Sequence, residues 1–151
     1  MSQNIKGLFS DWDVLVVDDE ADLRESLASA LEQAGFEVLI AKDGPSGLLL
    51  ALKKHPDVIL LDILLPRMQG NVILDRLRAD NWGKQAKVIV LSNSDRNDHK
   101  ELALRHGALD YLIKSEQSLS DIIRSVKKAL LQEHGISQSR NVNRREISKE
   151  P

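Results

Sequence analysis

Four apolar segments of this chain each lead directly into side chains that could take part in chemistry. The segments are 14–17, 58–61, 88–91 and 111–113, and the side chains that follow them are Asp18 and Asp19, Asp62, Ser92, and Lys114. Neighbouring carboxylates repel one another unless a cation lies between them. Oxygen ligands without histidine or cysteine favour a hard cation such as Mg²⁺. Because a lysine and a hydroxyl can also bind the oxygens of an anion, the set is typical of sites that transfer a phosphoryl group.

Asp62 is the most unusual of these residues, since the other members of segment 58–66 are all apolar or proline. A continuous apolar segment of this length is typical of a strand that is covered on both faces. An isolated carboxylate is costly in such surroundings unless a metal, a cation or hydrogen-bond donors compensate it. We therefore expect the acidic pair and Lys114 to lie around Asp62.

The scaffold that would bring these side chains together is visible in the spacing of apolar residues. Segments 12–17, 37–41, 58–61, 87–91 and 110–113 have the composition of strands, and apolar residues at helical spacing follow each of them. Five repeats of strand and helix predict an α/β domain with a parallel sheet between two helical layers. The predicted helix stops are Gly35 and Gly107, and the predicted caps are Ser94 or Asp95 for the fourth helix and Ser118 or Ser120 for the fifth.

Composition sets the limits of this interpretation. The chain has 151 residues, of which 42% are hydrophobic, with a net charge of −2 and no cysteine. These values fit one folded domain, here 12–131, between a flexible lead (1–11) and a polar, disordered tail (132–151). The charge balance indicates no nucleic-acid partner, and no segment approaches the roughly 20 apolar residues that cross a bilayer. With no signal peptide evident, the expected location is cytoplasmic.

Four motifs in this order resemble the receiver domain of two-component response regulators. They are Val-Val-Asp-Asp-Glu (16–20), Leu-Leu-Asp-Ile-Leu-Leu-Pro (60–66), Val-Leu-Ser (90–92) and Gly-Ala-Leu-Asp-Tyr-Leu-Ile-Lys (107–114). The resemblance covers residues 13–131. It implies a flavodoxin-like (βα)5 fold, doubly wound, with a five-stranded parallel sheet in the order 2-1-3-4-5.

The resemblance also implies a role for each residue at the strand ends. Asp62 would be the phosphoacceptor. Asp19 would bind Mg²⁺ directly and Asp18 through water, with Asp62 and the backbone carbonyl of Leu64 completing the protein ligands.

The same resemblance implies a conformational switch. Ser92 and Lys114 would bind the phosphoryl oxygens, and Tyr111 would be the aromatic switch residue that turns inward as Ser92 moves. The phosphoryl group would come from a sensor histidine kinase or a histidine phosphotransfer protein. Phosphorylation would change a surface at residues 95–131 that binds a downstream protein target. Such a domain assists its own phosphorylation and dephosphorylation and is not a turnover enzyme.

Several positions depart from the family pattern, and two of them bear on the mechanism. Ser115 replaces the proline that usually follows the lysine, which leaves open whether the Lys114–Ser115 peptide is cis or trans. Leu64 is apolar where some members with short-lived phosphorylation carry an amide. We expect Leu64 to be unable to orient an attacking water, so that the phosphorylated form is long-lived.

Several simpler interpretations remain beside these roles. The acidic pair could do no more than begin a helix, Asp62 could be a turn residue, and Ser92 could be a helix cap. Lys114 could be a surface lysine, and Tyr111 a half-buried aromatic that does not switch. All four histidines could be surface residues. A pseudo-receiver, which binds partners without being phosphorylated, is the alternative function. A dehalogenase-like phosphatase is disfavoured because Leu64 stands where those enzymes carry a second aspartate. We expect no output domain after residue 131, whether the chain is a free-standing regulator or part of a longer one.

Overall fold

The computed structural model of the protein describes residues 11–131. The predicted tail (132–151) and all but the last residue of the predicted lead (1–11) lie outside the described residues. No helix among the described residues is both long enough and apolar enough to span a membrane.

Strands and helices alternate along the described chain. They are β1 (Asp13–Val17), α1 (Ala21–Gln33), β2 (Glu37–Ala41), α2 (Gly44–Lys54), β3 (Val58–Leu61), α3 (Gly70–Ala79), β4 (Val88–Ser92), α4 (Asn97–Arg105), β5 (Asp110–Ile113) and α5 (119–131). Short 3₁₀ turns occupy Gly83–Gln85 and Lys114–Glu116. The strands agree with the predicted segments to within a residue, and Ser92 ends β4 instead of following it.

The five strands form one parallel sheet in the order β2-β1-β3-β4-β5, as expected for the flavodoxin-like fold. In its register, Val17 pairs with Leu61, Leu61 with Val90, and Ser92 with Ile113. Because the strands are parallel, the residues that follow them emerge at one edge of the sheet. This register brings the ends of β1, β3, β4 and β5 to the same level.

The sheet separates two apolar cores. Alternate side chains of β1, β3 and β4 point to opposite faces. One face packs against α2, α3 and α4, and the other packs against α1 and α5. Every residue of β3 and β4 is buried, whereas most of the edge strand β2 is partly exposed. The central strands are therefore rigid supports for the residues at their ends.

Helix ends are fixed by short-range hydrogen bonds. The Asp43 carboxylate accepts the Ser46 amide hydrogen at 2.9 Å and starts α2. Ser118 and Asp121 bond each other's backbone amides at 3.0 and 3.1 Å and start α5. Gly107, at φ +83°, follows α4 as predicted. The predicted cap of α4 was wrong, because Arg96 precedes the helix without a side-chain cap and the Ser94 hydroxyl bonds His99 instead.

Candidate functional site

Lys114 gathers the strand ends around its ammonium group. Its Nζ lies 2.8 Å from Asp18 Oδ2, from Asp62 Oδ2 and from Glu20 Oε1. The Lys114 side chain is 7% exposed, so the interpretation of a solvated surface lysine was wrong. Burial alone would lower the pKa of Lys114, but hydrogen bonds to the three carboxylates outweigh burial and raise it. The ammonium is therefore held in its charged form.

Asp62 sits at the carboxyl end of the central strand with 4% of its surface exposed. The Asp62 backbone amide continues the sheet by donating to the Val17 carbonyl at 3.1 Å. Its Oδ1 accepts the Leu64 amide hydrogen at 2.9 Å, and its Oδ2 accepts from Lys114. Each carboxylate oxygen thus has a donor, which offsets the cost of burying this charge.

Asp18 is the second buried carboxylate, with 2% of its surface exposed. Its Oδ1 accepts the Glu20 amide hydrogen at 2.8 Å. Burial raises the pKa of Asp18, and the nearby Asp62 charge adds to that effect, while hydrogen bonds from Lys114 and the Glu20 amide oppose it. A further cation at this position would relieve the repulsion between the two acids.

The acids that the structure brings together differ from the predicted ligand set. Asp18, Glu20 and Asp62 each offer an oxygen, and these oxygens lie within 4.8 Å of one another. Asp19 is exposed and is not part of that group. Direct binding of a metal by Asp19 and indirect binding by Asp18 stay predictions. Sequence reasoning missed Glu20, although its place directly after the acidic pair is a usable signal.

The oxygen-only character of this cluster fits a hard divalent cation. Mg²⁺ prefers carboxylate oxygens and keeps several waters, so it needs few protein ligands. The Leu64 backbone supports Asp62 through its amide, and Leu64 as a whole is 47% exposed beside the site. The role of the Leu64 carbonyl as a metal ligand stays a prediction.

The side chains of Ser92 and Tyr111 both bond the backbone of Ser94, a residue that the sequence did not single out for the site. Ser92 is fully buried at the end of β4, before the loop to α4, so its interpretation as a helix cap was wrong. Its hydroxyl accepts the Ser94 amide hydrogen at 3.2 Å. The Tyr111 hydroxyl donates to the Ser94 carbonyl at 2.8 Å, and Tyr111 is 8% exposed, so its ring lies in the inward position and is not half-buried. Movement of this ring as part of a switch stays a prediction.

The remaining sequence predictions have mixed outcomes. The Lys114–Ser115 peptide is trans, as are the other peptide bonds of the described chain. His55 is exposed and stacks on Trp82, with ring centroids 4.3 Å apart. His99 is only partly exposed and bonds Ser94, so it is not simply a surface residue, and His134 lies outside the described residues.

Comparisons with known proteins agree with this geometry. The chain is 35% identical to the transcriptional regulatory protein HprR of Escherichia coli K12 over 86% of its length, and 42% identical to the transcriptional regulatory protein PrrA of Mycobacterium tuberculosis over 81%. It spans about half the length of these relatives, 56% and 51%. Protein PilH of Pseudomonas aeruginosa is 35% identical over 75% of this chain and is itself covered to 95%.

Solved structures show the same fold. A CheY-like response regulator receiver domain protein of Methanospirillum hungatei superposes with a TM-score of 0.77 at 25% identity, covering 83% of this chain and 98% of that one. Chemotaxis protein CheY4 of Vibrio cholerae gives 0.73 at 27% identity, with 78% and 98% covered. The family profile described as "Response regulator receiver domain" matches residues 14–127. The chain therefore belongs to the response regulator receiver domain family of two-component systems.

Proposed function

We propose that Asp62 accepts a phosphoryl group from a phosphohistidine on a histidine kinase or a histidine phosphotransfer protein. The observation that carries this proposal is the position of the Asp62 carboxylate, which is buried at the end of β3 in direct contact with Lys114. In the transfer, an Asp62 oxygen forms a bond to phosphorus as the bond from phosphorus to the histidine nitrogen breaks. The histidine is the leaving group, and negative charge develops on the three equatorial oxygens.

The surrounding residues supply what this transfer requires. The Leu64 amide fixes the Asp62 carboxylate, and the Lys114 ammonium can move from carboxylate oxygens to phosphoryl oxygens without leaving the site. The Ser92 hydroxyl can rotate toward the phosphoryl group, because the one bond that it makes to the described residues is the acceptance of an amide hydrogen. Mg²⁺, held by Asp62 with Asp18, Glu20 or the predicted Asp19, would neutralise phosphoryl charge when bound.

The signal would leave through the surface formed by α4, β5 and α5. Response regulators act on downstream targets, and this surface begins beside the site. The bond from Tyr111 to the loop after Ser92 supports this route, because movement of Ser92 would change what Tyr111 contacts. The downstream target is a protein that binds this surface differently before and after phosphorylation of Asp62.

Treatment with a small-molecule phosphodonor and Mg²⁺ tests the proposal. The intact mass should rise by one phosphoryl group, and Asp62→Asn should abolish the gain because an amide is not a competent nucleophile. Asp75→Asn, which removes an exposed carboxylate of α3, is the matched control and should phosphorylate normally. If neither a small donor nor a cognate kinase adds mass, the alternative of a phosphorylation-independent interaction module is supported instead.

A further inference from the structure

Ser94 joins three parts of the molecule through three different groups. Its amide donates to the Ser92 hydroxyl at 3.2 Å, and its carbonyl accepts from the Tyr111 hydroxyl at 2.8 Å. Its own hydroxyl is paired with Nδ1 of His99 and accepts a longer bond from the Arg96 amide at 3.4 Å. Ser94 is 9% exposed, so these bonds are shielded from competition by water. One short loop therefore connects the candidate phosphorylation site, the Tyr111 ring and α4.

His99 ties this loop to the first turn of α4. The side chain of Arg96, directly before the helix, makes no capping hydrogen bond. Ala103 is the one buried residue among Asn97–Arg105. A helix with so little buried surface is held weakly by packing. The bond from His99 to Ser94 is thus a substantial part of what fixes the loop relative to the helix.

A cavity beside His99 leaves the imidazole free of tight packing. The space, about 50 Å³, lies between α3 and α4 and is lined by Ile63, Leu64, Leu74, His99, Leu102 and Ala103 together with two polar residues. A cavity of this size can hold water. Since packing does not hold the imidazole on that side, the hydrogen bond to Ser94 is the polar contact that orients it.

We propose that His99 is a positioning residue of the switch: through Ser94, it stabilises the inward, buried position of the Tyr111 ring, which is the position that the predicted movement of Ser92 would favour. The Ser94 carbonyl is the acceptor that keeps the Tyr111 hydroxyl inside, and His99 fixes the residue that carries this carbonyl. The tie does not depend on one protonation state, since Nδ1 can accept from a hydroxyl when neutral and donate to it when protonated. The role as part of a switch rests on the proposed function, but the effect on Tyr111 does not require phosphorylation.

The single tyrosine of the chain makes the test direct. In protein made with ring-labelled tyrosine, NMR signals of the ring report Tyr111 alone, and a soluble paramagnetic probe reports its exposure. His99→Leu removes the hydrogen bond at similar volume, and the ratio of buried to exposed ring should fall about fivefold, as expected for loss of one hydrogen bond. His99→Asn keeps an amide near the position of Nδ1 and should restore most of the buried ring.

Further variants separate positioning from general destabilisation. Ser94→Ala removes the bond to His99 together with the longer bond from the Arg96 amide, so it should expose Tyr111 at least as much as His99→Leu does. The double variant should add nothing to Ser94→Ala, because the bond to His99 is already absent. Lys100→Gln, an exposed change in the same turn of α4, should leave Tyr111 as in the parent. Far-ultraviolet circular dichroism confirms that each variant is folded.

An unchanged Tyr111 ring in both His99→Leu and Ser94→Ala would overturn the proposal. So would equal exposure in His99→Asn and His99→Leu, since the hydrogen bond would then not be the cause. Absence of a phosphoryl mass gain in the parent protein would contradict the proposed function and leave this measurement valid.

Discussion

Two partly buried cations lie at opposite edges of the sheet, the edges formed by the carboxyl ends and by the amino ends of the strands. They differ in the kind of group that they bind. Lys114, at the carboxyl edge, is surrounded by the charges of Asp18, Glu20 and Asp62. Arg78 of α3, toward the amino edge, donates to backbone carbonyls at 2.6–3.2 Å, those of Gly83, Ala86, His106 and Gly107. Lys114 has partners whose charge a metal or a phosphoryl group can redistribute. The partners of Arg78 are backbone carbonyls, whose partial charge a bound metal or phosphoryl group does not redistribute.

The contrast separates function from architecture. Burial lowers the pKa of Arg78, yet an arginine stays charged, so its planar group remains a permanent clamp between the end of α3, the turn before β4 and the turn before β5. The flexible lysine carries a compact charge that can move among several oxygens. One edge is built to stay the same, and the other is built to change partners.

Lys114→Met should give the largest effect. It leaves the buried Asp18 and Asp62 without their cation, and removal of one partner of a buried ion pair costs about 3–5 kcal/mol. Added Mg²⁺ should recover much of that loss, because a divalent cation can take the place of the ammonium among the carboxylates. Urea unfolding with and without Mg²⁺ measures both quantities. The comparison fails if Mg²⁺ stabilises the variant no more than it stabilises the parent.

Arg78→Met should also destabilise the fold, by about 2–4 kcal/mol, because partly buried carbonyls lose charged donors. Mg²⁺ should stabilise this variant only as much as it stabilises the parent, since the carboxyl edge is intact. The same urea titrations provide the measurement, with Arg76→Met, an exposed change in the same helix, as the control. A recovery by Mg²⁺ as large as that of Lys114→Met would show that the two edges are not independent.

The same contrast explains how far the sequence could predict the site. Asp62, Ser92 and Lys114 were found because long apolar segments mark strands, and the ends of parallel strands must meet. Glu20 was missed because its participation depends on how far Lys114 reaches from β5 back to β1. The partners of Arg78 are backbone carbonyls, which every residue carries, so no pattern of side chains in the sequence predicts them. His99 was assigned to the surface because nothing in its spacing indicated that the Ser94 hydroxyl would bond it instead of capping α4.

Leu64→Asn should have the smallest effect on stability and a measurable effect on kinetics. The Leu64 amide that binds Asp62 is kept, and the residue is 47% exposed, so folding should change little. An amide beside Asp62 can orient a water toward the phosphoryl group, which an apolar side chain cannot do. Loss of phosphate should then be faster by about tenfold, the value of one well-placed hydrogen bond of about 1.4 kcal/mol.

Decay of the phosphorylated mass after removal of the donor measures this rate. Val72→Asn, at a position 37% exposed in the first turn of α3, controls for the addition of an amide near the carboxyl edge and should decay like the parent. Equal rates in Leu64→Asn and the parent would mean that this side chain does not set the lifetime of the signal. A faster loss of phosphate with unchanged stability in urea would show that a substitution at the carboxyl edge can change the lifetime of the signal without weakening the fold. We expect this result because the carboxyl and amino edges share the sheet but not their hydrogen bonds.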